Sequence, residues 1–537
     1  MEDGYAVGRF KKLSVDRSFY LDQAELSASL TIPSLYPPNR DESGRRQTPQ
    51  DLPAPFQNFG AYCVESLSSK FLTSTFPANQ QYFRYEISEK TLDEAREMGA
   101  EPEEIIQLKA EIAKALSFRE RAVGKYFEQS NLRVVVSEAF RHLIVGGNVL
   151  LHIPTDGTGA RLISLPRYVV RRGPMGRVLE ICIKESFDFD GLPASVRELS
   201  PYAEDDMKDR HDSEVSVYTH LQLDVDKKQF SVKQEAFGVC IPGSEGTVPE
   251  DNCPYIPLRF TTVEGEHYGR GYVETYRGSL NSLEVLRRAI LENSAAAART
   301  LWLVRPNGST KVRNLARSEN GAFVSGDTND VSVLRMDKTA DLSVAQSSSE
   351  ILVKELSFAF LLNSSIQRSG ERVTSTEIKF MANQIEATQA GIFSTLARTM
   401  QLPIVKRIEA ILTKSGEITS IPKNTVEPTV IGGLAAIGRD TDMNKLRELT
   451  ADFANAASIL PEVVQYLNAS TVAEKIVLNH SIPAEGLLKT PAEVAQAAQQ
   501  QQQQQLMQQA MVEGTKAVPD IARDAMGNQM QQEQGEE

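Results

Sequence analysis

Long apolar runs are missing from this 537-residue chain. Nothing in it approaches the ~20 consecutive apolar residues that a membrane helix requires, so no membrane association is expected. The first residues, MEDGYAVGRFKK, are mostly polar. They lack the basic start and apolar core of a secretory leader. Cysteine is scarce: Cys63, Cys182, Cys240 and Cys253 stand far apart without a CxxC pair. That excludes a disulfide framework and predicts buried, reduced thiols, as in a bacterial cytoplasm. Positive charge is in the minority, with 58 Lys and Arg against 71 Asp and Glu, a net −13. Proteins that grip DNA irrespective of sequence are usually basic. An acidic wall can still surround DNA without holding it.

Catalytic signatures are missing too. The six histidines, His142, His152, His211, His220, His267 and His480, form no HExxH and no zinc-ligand spacing with the cysteines. His142 and His152 fall in a helical and a strand pattern and read as surface or satisfied core histidines. There is no GxxxxGK[ST] loop and no GxSxG elbow. The acidic run Glu204, Asp205, Asp206, Asp209, Asp212 and Glu214 is interleaved with Lys208, Arg210 and His211. It reads as a solvated loop rather than a metal site. No cofactor, metal or enzymatic chemistry is predicted.

What is present is an α+β pattern. Ile105, Leu108, Ile112 and Leu116 recur at helical spacing. A second helix is expected over 134–145, ending at Gly146 and Gly147, followed by a strand at NVLLHIP (148–154). From Val215 to Leu223 the residues alternate, with Val215, Val217, Thr219, Leu221 and Leu223 on one face and Ser216, Tyr218, His220 and Gln222 on the other. That period of two predicts a half-buried strand, paired as a hairpin with 230–237. A helix without proline is expected over 272–298, roughly 40 Å long. Leu280, Leu283, Leu286 and Ile290 mark its packing face, and small residues at 295–298 allow a neighbouring helix close. Glu284 is placed to pair with Arg287 or Arg288.

Strand-like pieces LWLV, GAFVSG and VSVLRM follow within 301–340, broken by Pro306, Asn307, Gly308, Gly321 and Gly326. A second helix is expected near 348–362. Helix, small β insertion, helix is the arrangement of a stem with a module at its end. Residues 300–340 carry six basic side chains (Arg305, Lys311, Arg313, Arg317, Arg335 and Lys338) against four acidic ones. Ordinary surface pairing and a partner-facing patch both fit them. In LSFAFLLNSSIQRSGERVTSTEI (356–378), an apolar helix pattern ends at Asn363. A polar loop with Arg368, Gly370, Glu371 and Arg372 follows. Thr374 and Glu377 then stand at capping-box spacing and open a helix to about Thr413, with Pro403 a kink. Residues 442–467 and 470–479 read as short helices. The Gln-rich tail 491–537 has seven acidic and two basic residues and buries little apolar surface.

Several ordered blocks resemble the portal proteins, the head-to-tail connectors of short-tailed, autographivirus-type bacteriophages. They are TIPSLYP (31–37), RVVVSEAFRHLIVGGNVLLHIP (133–154), CPYIPLRFTTVEGEHYGRGYVE (253–274), LSFAFLLNSSIQRSGERVTSTEI and EPTVIGGLAAIGRD (427–440). The likeness runs from about Phe19 to about Asn479 and is loosest over 300–340. It implies a portal-type α+β fold: a wing (1–271), a first stem helix (272–299), a clip (300–340) and a second stem helix (341–362). A tunnel loop (363–373), a wing return with a long kinked helix (374–439), a helical crown (440–490) and the tail complete it. It also implies a dodecameric ring at one capsid vertex of the virion, made in the host bacterial cytoplasm. Such a ring nucleates head assembly, conducts double-stranded DNA during packaging and ejection, and docks the tail. Its other partners would be terminase, a tail adaptor, and the major capsid and scaffolding proteins. The resemblance places Arg368, Glu371 and Arg372 in the DNA channel. It makes Leu280, Leu283, Leu286 and Ile290 stem packing, and Trp302, Arg305, Lys311 and Arg313 adaptor contacts, with a core role the competing reading for Trp302. The alternatives are another phage structural protein, such as a tail adaptor, or a nucleic-acid-processing enzyme without a recognisable motif.

Overall fold

A computed structural model describes residues 4–38, 54–77, 82–87, 102–201, 214–297, 301–319, 321–334, 339–362, 395–420 and 426–430, with positions 52, 391 and 451. The chain divides into two compact units, Met1–Leu434 and Ala435–Glu537, and only position 451 is described in the second. The first unit is mixed helix and antiparallel sheet.

Helix α1 (Tyr5–Ser29) buries Ala6, Phe10, Leu13, Arg17, Leu21, Ala24 and Ala28. Their three- and four-residue spacing makes one inward stripe. Helix α2 (Phe59–Thr75) buries Cys63, Val64, Leu67 and Phe71. Strand β1 (Phe83–Ile87) and helix α3 (Pro102–Gln129) follow. Helix α4 (Leu132–Gly146) is the most enclosed, with ten of its 15 residues buried. It ends where the sequence places its end, at Gly147 in the left-handed region (φ 74). There a Cβ would collide with the main chain of Arg270 and Gly271, so glycine is required twice over.

Strand β2 (Asn148–His152) is the centre of a three-stranded sheet, between β3 (Arg161–Ile163) and, at its other edge, a later strand. Next in the chain are β4 (Tyr168–Arg172), β5 (Val178–Asp188), β6 (Glu214–Asp224), β7 (Gln229–Ala236), β8 (Val239–Cys240) and β9 (Gly246–Pro249). They form a six-stranded sheet in the order β4-β5-β6-β7-β8, with β9 also on β7. The expected hairpin is β6–β7, in register Leu221 to Val232 and Leu223 to Phe230. Asp224 closes its turn, accepting from the amides of Asp226 and Lys227, both at 3.2 Å. Strand β10 (Tyr255–Arg259) supplies the other edge of the three-stranded sheet.

The alternation in β6 is only half the story. His220, on the face read as polar, is buried, because α1 crosses that face. Tyr5 meets the His220 ring edge-on at 5.4 Å and Phe10 meets Tyr218 at 5.6 Å. The strand is covered on both sides.

Helix α5 (Tyr272–Ala297) fits the proline-free stretch within one residue. Strands β11 (Leu301–Val304) and β12 (Val331–Leu334) pair antiparallel. The segment GAFVSG is irregular rather than a strand, and Val312–Leu315 is a single helical turn. Helix α6 (Thr339–Ala359) starts nine residues before the sequence pattern suggests. Residues 395–415 are helical, and the irregularity expected at Pro403 is a π-helical turn, Ala397–Gln401, directly before helix α7 (Leu402–Ser415). Proline has no amide to donate to the preceding turn, which accounts for the wider turn there. Strand β13 (Val426–Val430) returns to pair with β1. All four cysteines are free, but only Cys63 and Cys182 are buried; Cys240 and Cys253 are half-exposed, a correction to the expectation for four buried thiols.

Candidate assembly and docking surfaces

The first half of α5 is rooted in the core. The Tyr272 hydroxyl donates to the Ala359 carbonyl at 2.8 Å, and the Tyr272 and Tyr276 rings lie 5.3 and 5.5 Å from Phe360. This ties the start of α5 to the end of α6. Arg277 donates to the Gln23 side chain on α1 at 2.6 Å. Leu280 and Leu283 are fully buried among residues of their own subunit. Glu284 does not pair with Arg287 or Arg288. Its carboxylate accepts from the amides of Phe56 (2.8 Å) and Gln57 (3.1 Å), fixing the chain that leads into α2. Arg288 instead pairs with Glu292 at 2.9 Å and lies over the Phe56 ring.

Beyond Glu284 the environment changes. Leu286 and Ile290 are half-buried, Val285 and Leu291 exposed, and Ala295 and Ala296 exposed as well. On α6, Leu356 is buried, but Val344, Ile351 and Phe358 are 66%, 55% and 70% exposed. These three stand seven residues apart, so they form one apolar stripe along the helix. Each such side chain gains roughly 1.5–3 kcal/mol if it is fully covered.

The β11–β12 module is organised around Asp330. Its carboxylate accepts from the Thr310 amide (3.2 Å) and the hydroxyls of Ser309 (3.1 Å) and Thr310 (3.3 Å). Gly308 lies so close to that carboxylate that any side chain would displace it. The Thr310 amide, then the Ser309 hydroxyl, hold Asp330 below the ordinary carboxylate range. Arg305, Lys311 and Arg313 are all exposed. Trp302 is in β11, and its side chain lies outside the described residues. Arg368, Glu371 and Arg372 also lie outside them, as does most of the acidic run at 204–214. Leu361, beside the end of the described segment, is a non-glycine residue with φ 59. A left-handed leucine costs roughly 1–2 kcal/mol. Here the Lys70 ammonium binds its carbonyl, and the Leu362 amide reaches the Ser357 carbonyl at 2.8 Å.

Sequence reasoning missed the buried charges that hold the rest of the unit. Glu180 receives both arms of Arg9 (2.7 and 2.5 Å), Arg171 (3.1 Å) and the His220 ring (2.9 Å). Burial works to raise its pKa, but the hydrogen bonds from Arg9 and His220 prevail and hold it well below the ordinary range. Glu235 accepts from the Ala6 amide at 2.8 Å, a carboxylate at the start of α1. Arg17 donates to the carbonyls of Leu165, Pro166 and Tyr168, and Arg407 to those of Ile153 and Asn252 and to Thr155. The signal was present: Arg17 falls four residues after Leu13 and four before Leu21, inside an apolar stripe. Among the described residues no group of three or more His, Cys, Asp or Glu is placed to hold a metal. No helix among them is long and apolar enough to cross a membrane.

Comparison with known proteins places this architecture. A family described as bacteriophage head to tail connecting protein matches residues 4–488. The portal protein of Escherichia phage T7 is 36% identical over 499 residues, covering 92% of this chain and 90% of that one. The portal protein of Enterobacteria phage T3 is 36% identical over 492 residues, covering 91% and 89%. That of Enterobacteria phage SP6 is 29% identical over 459 residues, covering 85% and 84%.

Proposed function

The chain belongs to the bacteriophage head-to-tail connecting protein family, and from that premise we propose that it forms the portal of a short-tailed phage. Twelve copies close a ring at one capsid vertex. The ring nucleates head assembly, passes double-stranded DNA inward during packaging and outward during ejection, and binds the tail. It works as a structural conduit rather than an enzyme. Helices α5 and α6 are the stem, the β11–β12 module is the clip that meets the tail adaptor, and 363–373 is the tunnel loop with Arg368, Glu371 and Arg372 beside DNA. Residues 1–271 and 374–439 make the wing and 440–490 the crown.

The observation that carries this reading is the exposed stripe Val344, Ile351 and Phe358 on α6, together with Val285 and Leu291 on α5. A helix pair that hides Leu283 and shows Phe358 needs another surface to cover it. In a head-to-tail ring the α6 stripe of one subunit meets the outer side of α5 on the next, and rotation closes the set. Charge supports the conduit. Sliding requires weak phosphate contact, because each phosphate held adds a salt-dependent barrier, and the chain is net −13. Packaging against pressure needs an energy source. With no phosphate-binding loop in the sequence, that work falls to an ATP-hydrolysing terminase docked on the ring.

Native mass spectrometry of the purified full chain tests the proposal. The expected species has twelve times the 59.4 kDa subunit mass. A monomer at micromolar concentration would overturn it.

A further inference from the structure

Two turns of the first unit are held together by a pair of arginines. The first turn, 173–176, joins β4 to β5 and is closed by the Gly176 amide, which donates to the Gly173 carbonyl at 2.9 Å. The second, 263–266, follows β10 and is closed by the Glu266 amide on the Val263 carbonyl at 3.2 Å. Arg172 donates to the carbonyls of Gly176 (3.1 Å), His267 (3.1 Å) and Pro257 (2.8 Å). Arg259 donates from Nη1 to the Glu266 carbonyl at 3.1 Å. Its Nε and Nη2 have no partner among the described residues. Gly176 has φ 79, and a Cβ there would stand 3.0 Å from Nη2 of Arg259. Glycine therefore lets that guanidinium lie against the first turn.

The pair lacks an anion. Neither Arg172 nor Arg259 makes an ion pair among the described residues. Burial first, then the charge of Arg259, lowers the Arg172 pKa to about 10, and burial also lowers that of Arg259. Two like charges held together away from water gain when an opposite charge arrives. A guanidinium presents a planar fork that fits the two oxygens of a carboxylate or of a phosphate. The surroundings choose between these. Met175, on the first turn, is 95% exposed, and Val263, on the second, is 44% exposed. A sugar–phosphate backbone has little apolar surface to lay against such side chains. A peptide has more, and contacts between proteins are enriched in Met and Arg. Glu264 is exposed beside Val263, and Glu250 pairs with Arg177 next to the first turn. Their negative charge disfavours a run of phosphates and leaves a place for a single carboxylate.

We propose that the turns 173–176 and 263–266 form a docking site for a partner protein's peptide segment that carries one carboxylate between apolar side chains. The carboxylate of a Glu or Asp sits on the free Nε and Nη2 edge of Arg259, with Arg172 behind it. The apolar side chains on either side lie on Met175 and Val263. One subunit makes the whole site, so the inference does not rest on the ring reading above. It accounts for two features that folding alone leaves without a purpose: a methionine bare at the end of a hairpin, and a half-buried cation without a carboxylate.

A peptide array probed with the full chain tests it. Each short peptide carries glutamate, glutamine or phosphoserine at its centre, flanked by leucine or by serine. The strongest binding is expected for glutamate between leucines. Glutamine in its place is expected to bind about tenfold more weakly. Arg259→Ala in the protein should cost about as much, with Arg259→Lys between, since an ammonium is a point charge without the fork. Met175→Glu is the second variant, because a side chain bare on a turn can be changed without disturbing the fold. It should also lose the leucine-flanked glutamate peptide about tenfold, at an unchanged unfolding temperature. Equal binding of glutamate and glutamine peptides, or no binding of either, would overturn the proposal. So would parent-level binding by both Arg259→Ala and Met175→Glu. Phosphoserine bound above glutamate, or displacement of the peptide by a short DNA duplex, would assign the site to phosphate and sink the peptide reading. Native mass spectrometry of the same sample scores the ring separately, so either reading can fail alone.

Discussion

The two halves of helix α5 live in different surroundings. Up to Leu283 its apolar side chains are covered by α1, α4 and α6; past Glu284 they are half-covered or bare. Arginine follows the same division. In the α1-to-α4 body, Arg17 is buried and spends its donors on main-chain carbonyls, as Arg407 does from α7. In the β11–β12 module, Arg305 and Arg313 are exposed. One part of the subunit is finished within a single chain, because each buried charge there has partners to offset its desolvation. The other part is left open: its apolar stripe on α6 is exposed, and Arg305 and Arg313 make no ion pair among the described residues. Subunit stability and assembly are therefore written in different residues, and each can be damaged alone.

The sharpest break is at Leu283. Leu283→Ala removes a fully buried side chain from the subunit's own core, which costs about 2–5 kcal/mol. Thermal unfolding of the isolated subunit is expected several degrees lower. If the unfolding temperature stays put while rings are lost, the border between finished and open regions lies before Leu283.

Acid should strike the finished part next. Burial, with a smaller push from Arg141, lowers the His142 pKa to about 4. The unfolded chain takes up that proton near 6.5, so its stability contribution is whole above pH 6.5 and is lost progressively as pH falls to about 4. The loss amounts to roughly 3 kcal/mol at most. His152, lowered to about 4 by burial and by Arg161 and Arg407, acts in the same window. Asp330 in the open module is lowered too, as a carboxylate, so its contribution persists above the ordinary carboxylate range and fails only below it. Unfolding temperatures from pH 7 to pH 4 should thus fall for the parent and fall less for His142→Gln. Equal slopes for the two would remove His142 from the acid response.

The open part gives the reverse pattern to Leu283. Ile351→Glu with Phe358→Glu places carboxylates on the exposed stripe. Exposed substitutions change subunit stability by within about 0.5 kcal/mol, but here rings should disappear from native mass spectra. Intact rings would show that the stripe faces something other than a neighbour.

Much of this division was legible in the sequence, and the limits have physical causes. The period of α5, its lack of proline and the glycine stop after α4 come from local chemistry, which a sequence displays. The β6–β7 hairpin was legible for the same reason. The burial of His220 was not, because it depends on α1 arriving from about 200 residues away to cover a face that alternation marks as polar. Glu284 was misread similarly. Its nearest cations in sequence lie on its own helix, while its actual partners are amides 228 and 227 residues away. The border at Glu284 within one apolar pattern was also hidden. Leu283 and Leu286 look alike in sequence and differ only in what covers them. Among the candidate site residues, Leu280 and Leu283 were read as stem packing, and within the subunit both are buried in its own core. Sequence reading did not single out Val344, Ile351 or Phe358, because exposure is a property of the fold.

The smallest effect on the subunit, and the one aimed at its task, belongs to Arg368 and Arg372. Both stand in the polar loop read from the sequence as the channel's lining, around Gly370, with Glu371 between them. If that loop faces DNA, its cations meet phosphates only in passing, and removing them touches neither the core nor the stripe on α6. Arg368→Ala with Arg372→Ala should leave ring mass and unfolding temperature unchanged, since an exposed Arg–Glu pair contributes about 1 kcal/mol at most. DNA length per particle is the measurement, for variant and parent at two ionic strengths. Screening weakens contacts between exposed charges beyond a Debye length of about 8 Å at physiological salt. The gap between variant and parent should therefore be wide at low salt and narrow at high salt. A full genome retained at both strengths would take these arginines out of DNA conduction. Loss of the ring itself would move them to the finished side of the comparison, as structural groups.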